Sequence, residues 1–173
     1  MKIWMAVLAL IMCLAGCGTP TAYETVSDVV IQPDIPKAGQ VVLELPEDAG
    51  TPAMQSDSGD RLYLCDGYSI SIQTMASGDL EKTFRSATGY SFEALSPVQT
   101  QLDDMRCYAC VWTAAGEGQT QAGRMKLIDD GNYHYVVTVL ADADRVAQLQ
   151  PQIQTLMRSV RIMPASFNPN TGS

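Results

Sequence analysis

The sequence of 173 residues is poor in the residue types on which most hydrolases and nucleic-acid-binding proteins depend. It has 11 lysine and arginine residues against 19 acidic ones, a net charge of −8, and a single histidine, His134. An acidic chain lacks the basic surface that a phosphate backbone requires, so we expect no nucleic-acid partner. No G-x-S-x-G nucleophile elbow is present, and any Ser-His-Asp triad would have to use His134, the only histidine.

Long apolar runs are also missing, because no segment reaches the roughly 20 residues that a membrane-spanning helix needs. Residues 3–14 form a run of about a dozen residues, the length of a signal-peptide core. The run ends in LAGC at residues 14–17, which resembles a bacterial lipobox. This resemblance implies cleavage between Gly16 and Cys17 and acylation of the Cys17 thiol. A secreted protein cleaved near Ala15, or an uncleaved anchor, is the alternative.

The chain is predicted to have four parts: a signal peptide (1–16), the lipidated Cys17 with a tether (17–40), one domain (41–163) and a loose tail (164–173). The alternative for the tether is that part of it packs as an N-terminal strand. An acidic chain has no polybasic patch for anionic lipids. We therefore expect the acyl chains on Cys17 to hold the domain at the cell membrane, on its extracytoplasmic face.

The first half of the domain shows strand and helix patterns. Residues 41–45 predict a short strand, and apolar residues at even positions from Leu62 to Ile72 predict a half-buried strand. The Asp66-Gly67 pair inside that run indicates a bulge or a tight turn. Asp79 and Gly89 have the positions of the N-cap and C-cap of a helix between them.

The second half predicts a meander and a closing helix. Residues 105–113 are apolar on both faces of a strand, and residues 133–140 (YHYVVTVL) predict a central strand after a turn at 129–132. Apolar residues recur at helical spacing from residue 142 to 160. Pro151 has no amide hydrogen, so we expect a helix to about Leu149 and a second one entered at Pro151.

This order of elements argues for an α+β fold, an antiparallel sheet with helices packed on its faces. The segments GDLEKTFRSATG, CYACVWTAAGE, IDDGNYHYVVTVLAD and LQPQIQTLMRSVRI resemble the PsbP-like α/β/α sandwich, over residues 62–162. That fold is shared by the photosystem II extrinsic subunit, the Ran-binding Mog proteins and uncharacterised Gram-positive lipoproteins, which the chain resembles most. The resemblance implies a fold and no catalytic residue.

Three cysteines remain after the predicted lipidation site. Cys107 and Cys110 form a C-x-x-C, but an odd offset in a strand directs them to opposite faces, so we expect neither redox chemistry nor zinc binding there. A bridge can persist outside the cytoplasm, and Cys65–Cys110 is the favoured disulfide. Cys65–Cys107 is second, and three reduced thiols are the remaining alternative.

The other candidates for chemistry are His134 and two acidic pairs, Asp103-Asp104 and Asp129-Asp130. His134 lies within a predicted strand and is interpreted as structural. The acidic pairs lack the spacing of a calcium loop and are interpreted as solvated turn residues. We therefore expect no metal and no cofactor.

Two functional hypotheses follow. The first is a non-enzymatic, lipid-anchored domain that binds a protein, a cell-wall component or a small molecule. The alternative is a hydrolase that acts on envelope material through carboxylates that the sequence does not reveal. A pocket with two converging carboxylates would favour the enzyme.

Overall fold

The computed structural model describes residues 36–115 and 120–165. The predicted signal peptide, Cys17 and most of the predicted tether and tail lie outside these residues. The strands are β1 (Gln40–Val42), β2 (Met54–Gln55), β3 (Arg61–Cys65), β4 (Tyr68–Ala76), β5 (Val98–Leu102), β6 (Met105–Ala115), β7 (Thr120–Asp129), β8 (Tyr133–Asp142) and β9 (Arg161–Met163). The helices are α1 (Leu80–Thr88), α2 (Phe92–Leu95) and α3 (Val146–Ser159), with a 3₁₀ turn at Glu47–Ala49. None of the helices described is both long and apolar enough to cross a membrane.

Seven strands form one antiparallel sheet in the order β2-β3-β4-β8-β7-β6-β5, and β1 pairs with β9 in a separate two-stranded sheet. Helices α1 and α2 connect β4 to β5, and the meander β5 to β8 brings β8 back beside β4. The predicted α+β class is confirmed, and β8 is the predicted central strand. β5 is an edge strand that begins directly after Pro97. Because Pro97 lies outside the strand, its missing amide hydrogen removes no hydrogen bond between strands.

The Asp66-Gly67 pair is a tight turn, so the predicted single strand is the hairpin β3–β4. Tyr63 lies opposite Ile70 in this hairpin, and residues directly opposite each other share a face. Tyr63 is therefore buried, at 3% exposure, whereas Leu64 is 64% exposed. The expected burial of Leu64 was wrong because the two-residue turn shifts the alternation by one position.

Helix α1 has the predicted ends. The Asp79 side chain accepts a hydrogen bond from the amide of Glu81, and Gly89 adopts the left-handed conformation with φ of 82°. Both caps satisfy backbone groups that a helix end leaves without partners.

Helix α3 differs from the prediction, because it runs unbroken through Pro151. Pro151 is the sixth residue of the helix, so its missing amide hydrogen removes only the bond to the carbonyl of Ala147, in the first turn. Packing against the sheet compensates for that loss, since four side chains of the helix are buried: Leu149, Ile153, Leu156 and Met157.

The helices lie on opposite faces of the sheet and are offset from each other. On the first face, α3 packs against β3, β4 and β8; on the second, α1 and α2 pack against β6, β7 and β8. Each face therefore keeps an open part. Val98 and Val111 are about two-thirds exposed on the α3 face, and Met54 and Leu64 on the α1 face.

Candidate functional site

An open groove lies on the α3 face, between the first half of α3 and strands β6, β7 and β8. Its volume is about 420 Å³, which falls within the usual range of small-molecule sites. Val111, Ala122, Val139 and Ala141 line the sheet side, whereas the helix contributes Val146, Gln150 and Ile153. The groove is thus mainly apolar.

The groove exists because small residues occupy the sheet beneath the helix. Ala122 and Ala141 are directly opposite each other on β7 and β8, and Gly123 follows on β7. The indole ring of Trp112 covers Gly123 on the other face of the sheet, where it would overlap a Cβ atom at position 123. The short side chains of Ala122 and Ala141 on the α3 face leave the space for the groove.

Arg124 is the one charged side chain among the described residues that line the groove. It pairs across the strands with Val111, and its guanidinium forms no ion pair or hydrogen bond with another described residue. The neighbouring cation on the same face is engaged differently, since Lys126 Nζ donates to the carbonyl oxygen of Met157 at 3.1 Å. Burial lowers the pKa of Lys126. The groove therefore offers an apolar surface with one unengaged cation.

His134 is enclosed between β8 and α1. It is 1% exposed, with Nδ1 2.9 Å from Thr83 Oγ1 and Nε2 3.4 Å from Ser77 Oγ. Its Nε2 lies 3.8 Å from Asp129 Oδ2, yet desolvation outweighs that carboxylate and lowers the pKa of His134. The imidazole is thus neutral at pH 7, and its contact with Thr83 connects α1 to the sheet.

The acidic pair at the β7–β8 turn holds the turn together. Asp129 Oδ2 accepts from Arg106 at 2.6 Å, and Asp129 Oδ1 accepts from the amide of Gly131 at 2.8 Å. Asp130 accepts from the Tyr135 hydroxyl at 2.8 Å. The turn role is as predicted, but Asp129 is only 4% exposed, so the expectation that it is solvated was wrong. The hydrogen bonds from Arg106 and Gly131 replace those that the buried carboxylate would form with water.

Asp103 and Asp104 form the exposed turn between β5 and β6, and both have positive φ, 49° and 66°. Asp tolerates this left-handed conformation better than most residues. Within residues 36–115 and 120–165, no group of three or more His, Cys, Asp or Glu side chains has a geometry that could hold a metal ion.

The structure does not bring the predicted disulfide partners together. Cys65, Cys107 and Cys110 are free thiols. Four strand spacings separate β3 from β6, about 19 Å, whereas a disulfide needs Cα atoms within about 7 Å. Cys65 and Cys107 pack on the α3 face and Cys110 on the α1 face, as the odd offset of the C-x-x-C predicts. This arrangement supports the third alternative, reduced thiols.

The groove itself was missed in the sequence. Its residues lie in the predicted strand 105–113, in the rest of the predicted meander and in the closing helix, where the pattern indicates burial. The available signal was the pair Ala122-Gly123, because two small residues in succession leave a strand without bulk on either face.

No protein-family model and no curated protein matches the chain. Among solved structures, it is similar to LpqN, described as involved in cell envelope biogenesis of Mycobacterium tuberculosis, with 13% identity over 75% of this chain and 86% of that one and a TM-score of 0.49. A protein of Bacteroides thetaiotaomicron has 10% identity over 75% and 50% of the two chains, with a TM-score of 0.48. Cyanobacterial PsbP of Synechocystis sp. PCC 6803 has 9% identity over 73% and 93%, with a TM-score of 0.45. The PsbP-like resemblance and membership of a Gram-positive lipoprotein family both stay predictions.

Proposed function

We propose that the protein is a lipid-anchored, extracytoplasmic accessory domain that binds an apolar ligand in the α3 groove. The observation that carries this proposal is the groove itself, an open, mainly apolar space of about 420 Å³ beside a helix that covers only part of its sheet face. Pockets of this size, with few polar groups, are typical of sites for small molecules.

The anchor is proposed from the sequence. The LAGC segment ending at Cys17 follows a signal-peptide core, and the acidic chain offers no polybasic attraction to anionic lipids. Two or more acyl chains would hold the domain firmly, since one chain alone gives reversible attachment. Two results together would contradict the anchor. The Cys17→Ala variant would fractionate with the membrane as strongly as the original chain, and the original chain would incorporate no labelled palmitate.

A non-enzymatic role is favoured over an envelope hydrolase by the state of the titratable groups. His134 is buried and neutral, and Asp129 and Asp130 are engaged in the β7–β8 turn. A hydrolase that uses two carboxylates needs both of them in one accessible pocket. The groove has no acidic side chain among its described lining residues.

A neutral apolar dye tests the groove. The sequence has two tryptophans, Trp4 in the predicted signal peptide and Trp112, whose indole lies across the sheet from the groove. Trp112 is therefore the one tryptophan of the mature chain, within range of energy transfer to a dye in the groove. N-phenyl-1-naphthylamine is expected to gain fluorescence with the mature chain and to quench Trp112. Ala122→Phe, which fills the groove, is expected to abolish both signals.

The matched control is Ala109→Phe, because Ala109 is exposed on the same face, on β6, and does not line the groove. Equal dye binding by both variants would contradict the assignment of the groove as the ligand site.

A further inference from the structure

We propose that the ligand of the α3 groove is a single-chain amphiphile with a carboxylate head, and that Arg124 contacts this head. The inference rests on the proposed function and adds the chemical class of the ligand. It is carried by the location of an unengaged guanidinium in an otherwise apolar and uncharged lining.

The charge of Arg124 is unusual in its surroundings. The whole chain carries a net charge of −8, yet the described lining of the α3 groove has one cation and no anion. Of the other arginines, Arg85, Arg106 and Arg145 pair with carboxylates, and Arg61 and Arg161 donate to backbone carbonyl oxygens. Arg158 has no ion pair either, but it is exposed to solvent outside the groove. Arg124 has no such partner in the described part of the chain, so its counter-charge is available from a ligand.

The chemistry of the guanidinium selects the head group. Its planar fork binds a carboxylate with two parallel hydrogen bonds, which a neutral hydroxyl cannot form. Arg124 is half-buried, and the attraction between opposite charges strengthens where water is partly excluded. A carboxylate is therefore favoured over an uncharged polar head.

The rest of the lining selects the body of the ligand. Thr113 and Gln150 are the other polar side chains on the wall, so most of the surface offers no hydrogen bonds. A peptide strand laid there would leave backbone amides and carbonyls without partners, at considerable cost. An alkyl chain has no such groups and gains from burial against Val111, Val139 and Ile153.

The test compares two probes of equal chain length, dodecanoate and 1-dodecanol, titrated below their aggregation limits into the unlipidated mature chain at pH 7.5. Displacement of bound N-phenyl-1-naphthylamine, measured as the loss of its fluorescence, reports occupancy. Dodecanoate is expected to bind at least tenfold more tightly than dodecanol, as for one charge-assisted contact. Arg124→Gln should remove that difference, and Arg124→Lys should restore part of it.

Arg158→Gln is the control, because Arg158 is exposed on α3 and does not line the groove. Equal binding of the two probes, or an Arg124→Gln variant that keeps the preference for dodecanoate, would overturn the head-group assignment while the groove stands. If Ala122→Phe binds both probes as the original chain does, the groove is wrong as well. Circular dichroism of each variant identifies any that fails to fold. If Arg124→Gln does not fold, Arg124→Lys replaces it, and a weaker preference for dodecanoate over dodecanol is expected. An unchanged preference in Arg124→Lys would then contradict the head-group assignment.

Discussion

The indole ring of Trp112 on β6 covers Gly123 on β7, and the ring occupies the space that a side chain at position 123 would need. The two residues are directly opposite in the antiparallel ladder, so they share the α1 face of the sheet. The groove lies on the other face of the same two strands.

Gly123→Ala is expected to destabilise the fold by about 1–3 kcal/mol, because the added methyl group forces the Trp112 ring away from its position. Chemical denaturation followed by circular dichroism measures the change, and the emission maximum of Trp112 should shift at the same time. Gly78→Ala is the matched control, since a Cβ at Gly78 meets no atom within 4 Å. Similar losses in the two variants would contradict the packing described.

Stability is expected to rise as the pH approaches about 6.5 from below because of His134. Burial lowers its pKa in the folded state, whereas in the unfolded chain the pKa is near 6.5. The unfolded state therefore binds more protons, so the stabilisation is complete above pH 6.5 and is lost as the pH falls. The charged groups that act on the ring are Asp129, Arg106 and Asp130, and the hydroxyls of Ser77 and Thr83 contact its nitrogen atoms. Urea denaturation at a series of pH values measures the slope.

His134→Gln removes the titrating group and keeps hydrogen-bonding capacity towards α1. Its free energy of unfolding is expected to vary much less over the same pH range. A slope equal to that of the original chain would assign the pH dependence to other groups.

Tyr135→Phe is expected to cost about 1–3 kcal/mol, because the hydroxyl donates to Asp130 at 2.8 Å and accepts from the amide of Gly39 at 2.9 Å. Hydrogen bonding to Asp130 adds to burial in raising the pKa of Tyr135 to about 12. Tyr133→Phe is the natural comparison, since the Tyr133 hydroxyl has no hydrogen bond in the described part of the chain. Thermal unfolding should separate the two variants, and indistinguishable midpoints would argue against the Tyr135 contacts.

The thiols of Cys65, Cys107 and Cys110 are expected to be reduced and slow to react in the folded protein. Burial raises the pKa of Cys110 to about 11 and also raises that of Cys65, which lowers the thiolate fraction at neutral pH. Alkylation before and after unfolding, followed by non-reducing peptide mapping, measures both properties. A peptide linked through Cys65 would contradict the strand order that holds these residues apart.

The sequence predicted the fold class and several elements because their signals are local. Asp79 and Gly89 specify helix ends by their own chemistry, and the apolar strand 133–140 indicates burial on both faces without reference to other strands. The predicted helix break at Pro151 was wrong because the outcome there depends on contacts that are not local. One lost hydrogen bond in the first helical turn is offset by burial against a sheet that is distant in sequence.

The candidate site could not be predicted in the same way, because it depends on register and on where a helix stops covering a sheet. The cross-strand pairing of Ala122 with Ala141, and the offset of α3 from α1, are decided by the whole meander. The disulfide prediction had the same weakness. The opposite faces of Cys107 and Cys110 follow from local alternation and were predictable, whereas the three strands that lie between Cys65 and Cys110 were not.

Amide chemical-shift mapping of the isotopically labelled mature chain during titration with N-phenyl-1-naphthylamine tests the central claim most directly. We predict that the largest shifts fall on residues 111–113, 122–124 and 139–141, which line the α3 groove. Largest shifts around Met54 and Leu64, on the open part of the α1 face, or no localised shifts at saturating dye, would contradict the claim that this groove is the binding site.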